Sequence, residues 1–273
     1  MNRYARQICM SEIGEKGQAA IRAAHVLVVG VGGLGAPVLQ YLVGAGVGRL
    51  TLVDGDRVTL SNLHRQTLFR ETDVGTSKAQ AAALTLRTLN NDCVIDIYDA
   101  RLDPENVHAL VGQSTLVLDC ADSFATSYTL SDTCRVLQVP LISASVLGFS
   151  GYVGGFCGTA PSLRAVFPDL PDRAASCATA GVMGPVVGMI GAAQAQMALG
   201  CLTRQSPSPL GQLISFDMQT FRTAGFRFDA APDPTPDLTF IAATQITTSD
   251  FVVELRDADE ILTPITASAH RLS

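Results

Sequence analysis

Short apolar runs alternate with longer amphipathic stretches through the first half of the chain. His25–Gly30 (HVLVVG) is β-branched, almost wholly apolar and stopped by glycine, the pattern of a buried strand. Leu34–Ala45 carries apolar residues at helical spacing and is closed by Gly46 and Gly48. Arg49–Asp54 (RLTLVD) reads as a second strand, Gly55–Gly75 as a long polar loop, and Ser77–Asn90 as a helix. Strands follow at Val94–Tyr98, Thr115–Asp119 and Pro140–Ser145, with helices near Glu105–Val111 and Thr126–Leu137 and a polar helix ahead of the first strand. This alternation predicts an α/β fold: a Rossmann-type, doubly wound, mainly parallel sheet.

The pattern changes beyond Gly148. Gly148–Gly158 alternates glycine with apolar residues, which predicts extended structure with close backbone contacts. Thr159–Ser176 has little periodicity and reads as a surface crossover loop. Gly181–Leu202 is a long apolar helix without a polar face, pointing to burial, with a subunit interface as one setting. Leu213–Phe216 and Phe221–Phe228 predict additional C-terminal antiparallel strands. The division expected is one domain over 1–230 and a short tail over 231–273.

Composition narrows the function. Of 273 residues, 47% are hydrophobic and 16% charged, which describes a compact chain that can bury a core. A net charge of −6 argues against nucleic-acid binding, which needs a cationic face. No run reads as long and apolar enough for a bilayer span, and the polar start does not read as a signal peptide, so no membrane partner and a cytoplasmic location are expected. The seven scattered cysteines form no C-x-x-C pair, a poor basis for a disulfide framework or a zinc site. Lys16 and Lys78 are the only lysines, which draws attention to each.

The first strand runs directly into Gly30-Val31-Gly32-Gly33-Leu34-Gly35 and then a helix. Glycines there permit a tight turn and close approach of backbone amides to phosphate at the positive end of the helix dipole. Asp54, at the end of the second strand, is placed to hold a ribose hydroxyl. The next loop adds Asp56, Asn62, Arg65 and Gln66, and Lys78 opens the following helix. Two cations and an amide suit a triphosphate whose leaving pyrophosphate must be stabilised. Asp119 and Asp122 lie at the end of a parallel strand, where a carboxylate can ligate Mg²⁺ or else cap the next helix.

At these residues the chain resembles the ubiquitin-activating-enzyme-like adenylyltransferases of molybdopterin and thiamin biosynthesis, the MoeB/ThiF/HesA group. The likeness runs in order through RYARQI (Arg3–Ile8), VVGVGGLG (Val28–Gly35), LVDGDRVTLSNLHRQ (Leu52–Gln66), VGTSKA (Val74–Ala79), LDCAD (Leu118–Asp122) and CATAGVMGPVVG (Cys177–Gly188). It implies a homodimer that uses ATP and Mg²⁺ to adenylate the Gly-Gly tail of a small ubiquitin-like sulfur carrier. By motif position, Asp54 would hold the ribose, and Asn62, Arg65, Gln66 and Lys78 would surround the phosphates. Asp122 would bind Mg²⁺, and Arg6 would reach into the partner subunit's site. Cys177 falls where the thiamin branch has a cysteine that handles the activated carrier, and a thiol near a helix start can become nucleophilic.

The chain departs from that pattern in three places. Many relatives hold a structural zinc through a C-x-x-C pair that would fall at Ser162 and Ala165, together with a later pair missing here. A hydroxyl and a methyl cannot replace thiolates, so no zinc is expected and the crossover loop is left to packing or to motion. Ser123 replaces a common asparagine. Asp250–Glu260 resembles the opening of a rhodanese domain, without a catalytic loop. Cys9, Cys93, Cys134, Cys157 and Cys201 are assigned no chemistry. Two other readings share the glycine loop. A nicotinamide-dependent oxidoreductase leaves Arg65, Lys78 and Asp122 without purpose; a non-catalytic carrier-binding relative would account for the departures.

Overall fold

The computed structural model describes residues 3–169, 181–234, 238–255, 265–266 and 269–271. Its main sheet has eight strands in the order β3-β2-β1-β4-β5-β6-β7-β8. Strands β1 (His25–Val29), β2 (Arg49–Val53), β3 (Val94–Tyr98), β4 (Leu116–Asp119) and β5 (Pro140–Leu147) run parallel. Strands β6 (Ser150–Cys157), β7 (Gln212–Asp217) and β8 (Arg222–Arg227) extend the sheet antiparallel. The expected Rossmann-type sheet with antiparallel C-terminal strands is therefore present.

Every residue of β1 after His25, and all of β4, is buried, because helices cover both sheet faces. On one face Val26, Val28, Leu50, Leu52 and Leu118 pack with α3 (Gly35–Ala45), α4 (Lys78–Leu89) and α7 (Gly184–Leu202). On the other, Leu27, Val29, Val117 and Leu141 pack with α5 (Val107–Gly112) and α6 (Phe124–Leu137). Helix α3 stops at Gly46, which takes a left-handed conformation at φ +88° that most residues avoid.

The structure departs from the sequence-based expectations in three places. The polar N-terminal helix is two helices, α1 (Ala5–Ile8) and α2 (Gly14–Ala23), broken at the left-handed Gly14. Helix α7 is, after all, 19 residues long and apolar enough to cross a bilayer by length and composition. Half of it is buried in this chain against α3, β5 and β6, which makes it a core helix of this fold.

The crossover segment after β6 is not a surface loop in its first part: Ser162, Leu163 and Arg164 are buried. Nor does packing alone hold it. Arg164 pairs with Asp132 at 2.8 Å, and the Ser162 hydroxyl donates to the Asp233 carboxylate. The tail carries a small parallel pair, β9 (Val253–Glu254) with β10 (His270–Arg271).

The chain runs from β1 outward to β2 and β3, then returns to place β4 on the other side of β1. Loops leaving the carboxyl ends of β1 and β4 therefore diverge and open a crevice between them, the usual ligand position in an open α/β sheet.

Candidate functional site at the switch point

The loop from β1 to α3 forms the crevice floor. Gly30 sits at φ +92°, and a Cβ there would lie 2.5 Å from the Cys120 carbonyl oxygen, so only glycine lets the β1 and β4 ends come this close. A Cβ on Gly35 would strike the Gly30 carbonyl. No side chain caps α3, and Gly32, Gly33 and Leu34 line the cavity. The Ala36 N–H is taken by the Gly32 carbonyl at 2.9 Å and Pro37 has none, so the amides that can meet an anion at this positive helix end are those of the Gly32–Gly35 turn, which have no partner among the described residues.

Asp54, just past β2, steadies this turn. Its carboxylate accepts the Val31 N–H at 2.7 Å and the Asp56 N–H at 2.8 Å, one on each oxygen. Burial pushes its pKa up, while those amides and the nearby Lys78 charge oppose the rise. Each oxygen keeps a further lone pair for an outside donor.

The loop after β2 folds back on the start of α4: the Val58 N–H meets the Thr76 carbonyl at 2.9 Å, and the Lys78 N–H meets the Asp56 carbonyl at 3.0 Å. The Ser77 hydroxyl caps α4 by accepting the Gln80 N–H at 3.4 Å. Lys78 is thereby held at the first helical position. It is 7% exposed, with Nζ 3.0 Å from the Asp56 carboxylate, so it is no solvated surface cation. The Lys78 ammonium, with Arg101 nearby, holds the Asp56 carboxyl below the usual range against burial. Gln66 is buried beside Gly32, and its Oε1 has no hydrogen-bond partner among the described residues. A buried amide oxygen left so is costly unless a ligand or water completes it.

On the opposite wall the two aspartates separate. Asp119, at the end of β4, is fully buried and turned from the cavity: its carboxylate accepts the Ser143 hydroxyl at 2.7 Å and the Ala121 N–H at 3.2 Å. Burial raises its pKa. Asp122 is exposed and lines the cavity. It does not cap α6, whose N-cap is Ser123, and its carboxylate has no hydrogen bond among the described residues.

These walls enclose a cavity of about 860 Å³. Of the residues expected at the site, Gly30, Gly32, Gly33, Asp54, Asp56, Arg65, Gln66, Lys78 and Asp122 line it. Gly35 supports the turn from behind. Asn62 is not on the wall; its carbonyl accepts the Arg65 and Gln66 N–H groups and so shapes their turn. Arg6 is exposed on α1, away from the cavity, and Cys177 lies outside the described residues.

Several lining residues had not been singled out from the sequence. Arg101, whose guanidinium is 3.5 Å from Asp56, follows β3, and the crevice rule for parallel strands could have found it. Tyr152, Phe167 and Asp169 also line the cavity, brought there by the antiparallel extension and the segment after it. No strand-end or motif signal marks them.

The donor set fits a magnesium-bound nucleotide. Two cations and unpaired amides suit phosphates. One free carboxylate, Asp122, beside phosphate oxygens is a ligand set Mg²⁺ accepts, and the buried Gln66 oxygen can accept from a ligand or water.

A model of the ThiF family matches residues 4–237. The SAMP-activating enzyme E1 of Haloferax volcanii is 40% identical over 231 residues, 83% of this chain and 86% of that protein. The adenylyltransferase and sulfurtransferase MOCS3 of Xenopus laevis is 39% identical over 88% of this chain, but the match spans only 55% of MOCS3. Among solved structures, E. coli MccB with ATP has the same fold: TM-score 0.74 and 20% identity, covering 85% of this chain and 72% of that one.

Proposed function

The chain belongs to the ThiF family, and from that premise we propose that it uses ATP and Mg²⁺ to adenylate the C-terminal carboxylate of a small ubiquitin-like sulfur carrier. The observation that carries this reading is the convergence of Lys78, Arg65, Asp122 and the open Gln66 amide beneath the uncapped end of α3. The name of the Haloferax volcanii relative, an activating enzyme matched over most of its length, supports the same reaction class. The sulfurtransferase part of MOCS3's name is not carried over, because the match spans about half of that protein.

A carboxylate is ionised at neutral pH, so the attacking group needs no general base. One of its oxygens bonds to the α-phosphorus of ATP while the bond from that phosphorus to the bridging oxygen breaks. The electron pair leaves with pyrophosphate, and the product is an acyl-adenylate. Lys78, Arg65 and the amides of the Gly32–Gly35 turn stabilise the charge that gathers on the leaving group. Asp54 orients the ribose through its remaining lone pairs. Asp122 would hold Mg²⁺, which when bound would supply further neutralisation of the phosphates. Positioning and electrostatics carry the catalysis. The resemblance also assigns Arg6 to the active site of a second copy, which makes the working unit a homodimer, and gives Cys177 a part in handling the activated carrier.

Nucleotide choice separates this reading from a nicotinamide-dependent oxidoreductase. Magnesium–ATP at a hundredfold excess over its Kd should stabilise the fold by about 2.7 kcal/mol. That corresponds to a rise of several degrees in Tm for a chain of this size. NAD should leave Tm where it was, and an equal rise with NAD would contradict the assignment. Pyrophosphate exchange that requires both ATP and a carrier then tests the reaction itself.

A further inference from the structure

We infer that Tyr128 and Arg164 are positioning residues for the carboxylate-bearing substrate, acting through a polar strip on α6 that fixes the Phe167–Asp169 part of the cavity wall. The inference rests on the adenylation reading above and adds which residues set the grip on the carrier.

Tyr128, Ser131, Asp132 and Arg135 fall at i, i+3, i+4 and i+7, so they share one face of α6. Ser131 Oγ accepts the Leu163 N–H at 3.0 Å. Arg164 forks onto Asp132 through Nε at 2.8 Å and Nη2 at 2.9 Å. The same guanidinium lies 4.7 Å from the Tyr128 ring centroid, within cation–π range. Arg135 pairs with Asp233 at 2.9 Å, and that carboxylate also takes the Ser162 hydroxyl. The strip therefore holds the segment after β6 directly, and again through the chain beyond β8.

What it holds is cavity wall. The Tyr128 hydroxyl donates to the Phe167 carbonyl at 2.7 Å and reaches the Asp169 carbonyl at 3.4 Å. Phe167 and Asp169 line the cavity, and the Phe167 ring centroid is 5.0 Å from that of Tyr152, another lining residue. Near the amino end of the same helix, Ser123, Phe124 and Ser127 line it too. Arg164 is only 8% exposed, and a buried cation tied in a two-pronged pair has little freedom to drift.

The hydrogen bonds and ion pairs of this strip run to Cys157 at the end of β6, to residues 162–169 and to Asp233 and Pro234, and among the described residues none goes to Gly30–Gly35, Asp54, Arg65 or Lys78. Two sets of residues thus hold two stretches of wall. Loosening the strip should change the grip on the carrier and leave the grip on ATP alone.

The test is steady-state ATP–pyrophosphate exchange with a panel of small ubiquitin-like carriers ending in Gly-Gly, of thiamin and molybdopterin type. Tyr128→Phe removes the donor to Phe167 but keeps the ring under Arg164. Arg164→Lys keeps the charge but loses the planar fork. Each should raise KM for the carrier by about five- to tenfold, the worth of one hydrogen bond. KM for ATP should stay within about twofold, and the magnesium–ATP rise in Tm should persist. The double variant should fall short of the product of the two effects, because both act on one stretch of wall. An unchanged carrier KM in folded Tyr128→Phe protein overturns the inference, as does a parallel rise in both KM values, which would mean general loosening. If wild-type protein supports exchange with no carrier, the adenylation reading itself fails. Should Arg164→Lys not fold, Tyr128→Phe alone decides.

Discussion

Asp122→Ala is expected to lower ATP–pyrophosphate exchange by about a thousandfold, while the melting temperature of the ligand-free protein stays within about a degree of wild type. The two halves of that expectation have separate causes. Asp122 is exposed, has no hydrogen bond among the described residues and does not cap α6, so the fold asks little of it. In the proposed reaction it is the carboxylate that would hold Mg²⁺ beside the departing pyrophosphate. Arg65→Ala should behave alike, since among the described residues the Arg65 guanidinium meets only the Ser61 carbonyl and the neighbouring His64 ring. Exchange rates and thermal melts on the same preparations check both variants. Near-normal exchange in the two would remove this site assignment.

Lys78→Gln should cut exchange by a similar factor of about a thousand, at a stability cost of only about 1 kcal/mol. Removing one partner of a buried ion pair is usually severe, because the other charge is stranded in a poor solvent. Here the remaining partner is not stranded. The Asp56 side chain is 51% exposed and keeps Arg101 at 3.5 Å, so water and the second cation still solvate it. The Lys78 stem packs at the first turn of α4, and glutamine replaces most of its volume. Urea melts beside exchange kinetics separate the effects: a loss of several kcal/mol would make Lys78 a structural residue first.

The sheet was legible because its strands are buried on both faces. HVLVV and LVLD are apolar runs that end in a glycine turn or an aspartate, and burial along β1 and β4 leaves no alternative pattern to confuse with them. The nucleotide side of the cavity was legible for a related reason: Gly30–Gly35, Asp54, Asp56 and Asp122 lie at or just beyond the carboxyl ends of β1, β2 and β4, positions that topology fixes, while Arg65, Gln66 and Lys78 stood out as polar groups in the loop and helix start after β2. Strand position alone did not show which of Asp119 and Asp122 faces the cavity; the motif position, which pointed to Asp122, did. That depends on the direction in which β4 ends, which buries Asp119 against Ser143 of the neighbouring strand.

The crossover segment misled for a different reason. Ser162 and Arg164 are polar and aperiodic, so they read as surface. Their partners Asp233 and Asp132 are distant in sequence and become neighbours only when α6 and the chain after β8 close over them. Polar composition reports exposure only when no counter-charge is brought to meet it. Arg101 was missed for want of a motif, although the strand-end rule that found Asp54 covers it equally.

The central claim is that this cavity joins AMP to a protein carboxylate. Intact-mass spectrometry of small Gly-Gly carriers incubated with the protein, ATP and Mg²⁺ tests it most directly. A carrier heavier by one adenylate group, formed only with wild-type protein and lost on hydroxylamine treatment, is the result expected. Carriers of unchanged mass across the panel, from protein that binds magnesium–ATP normally, would contradict it.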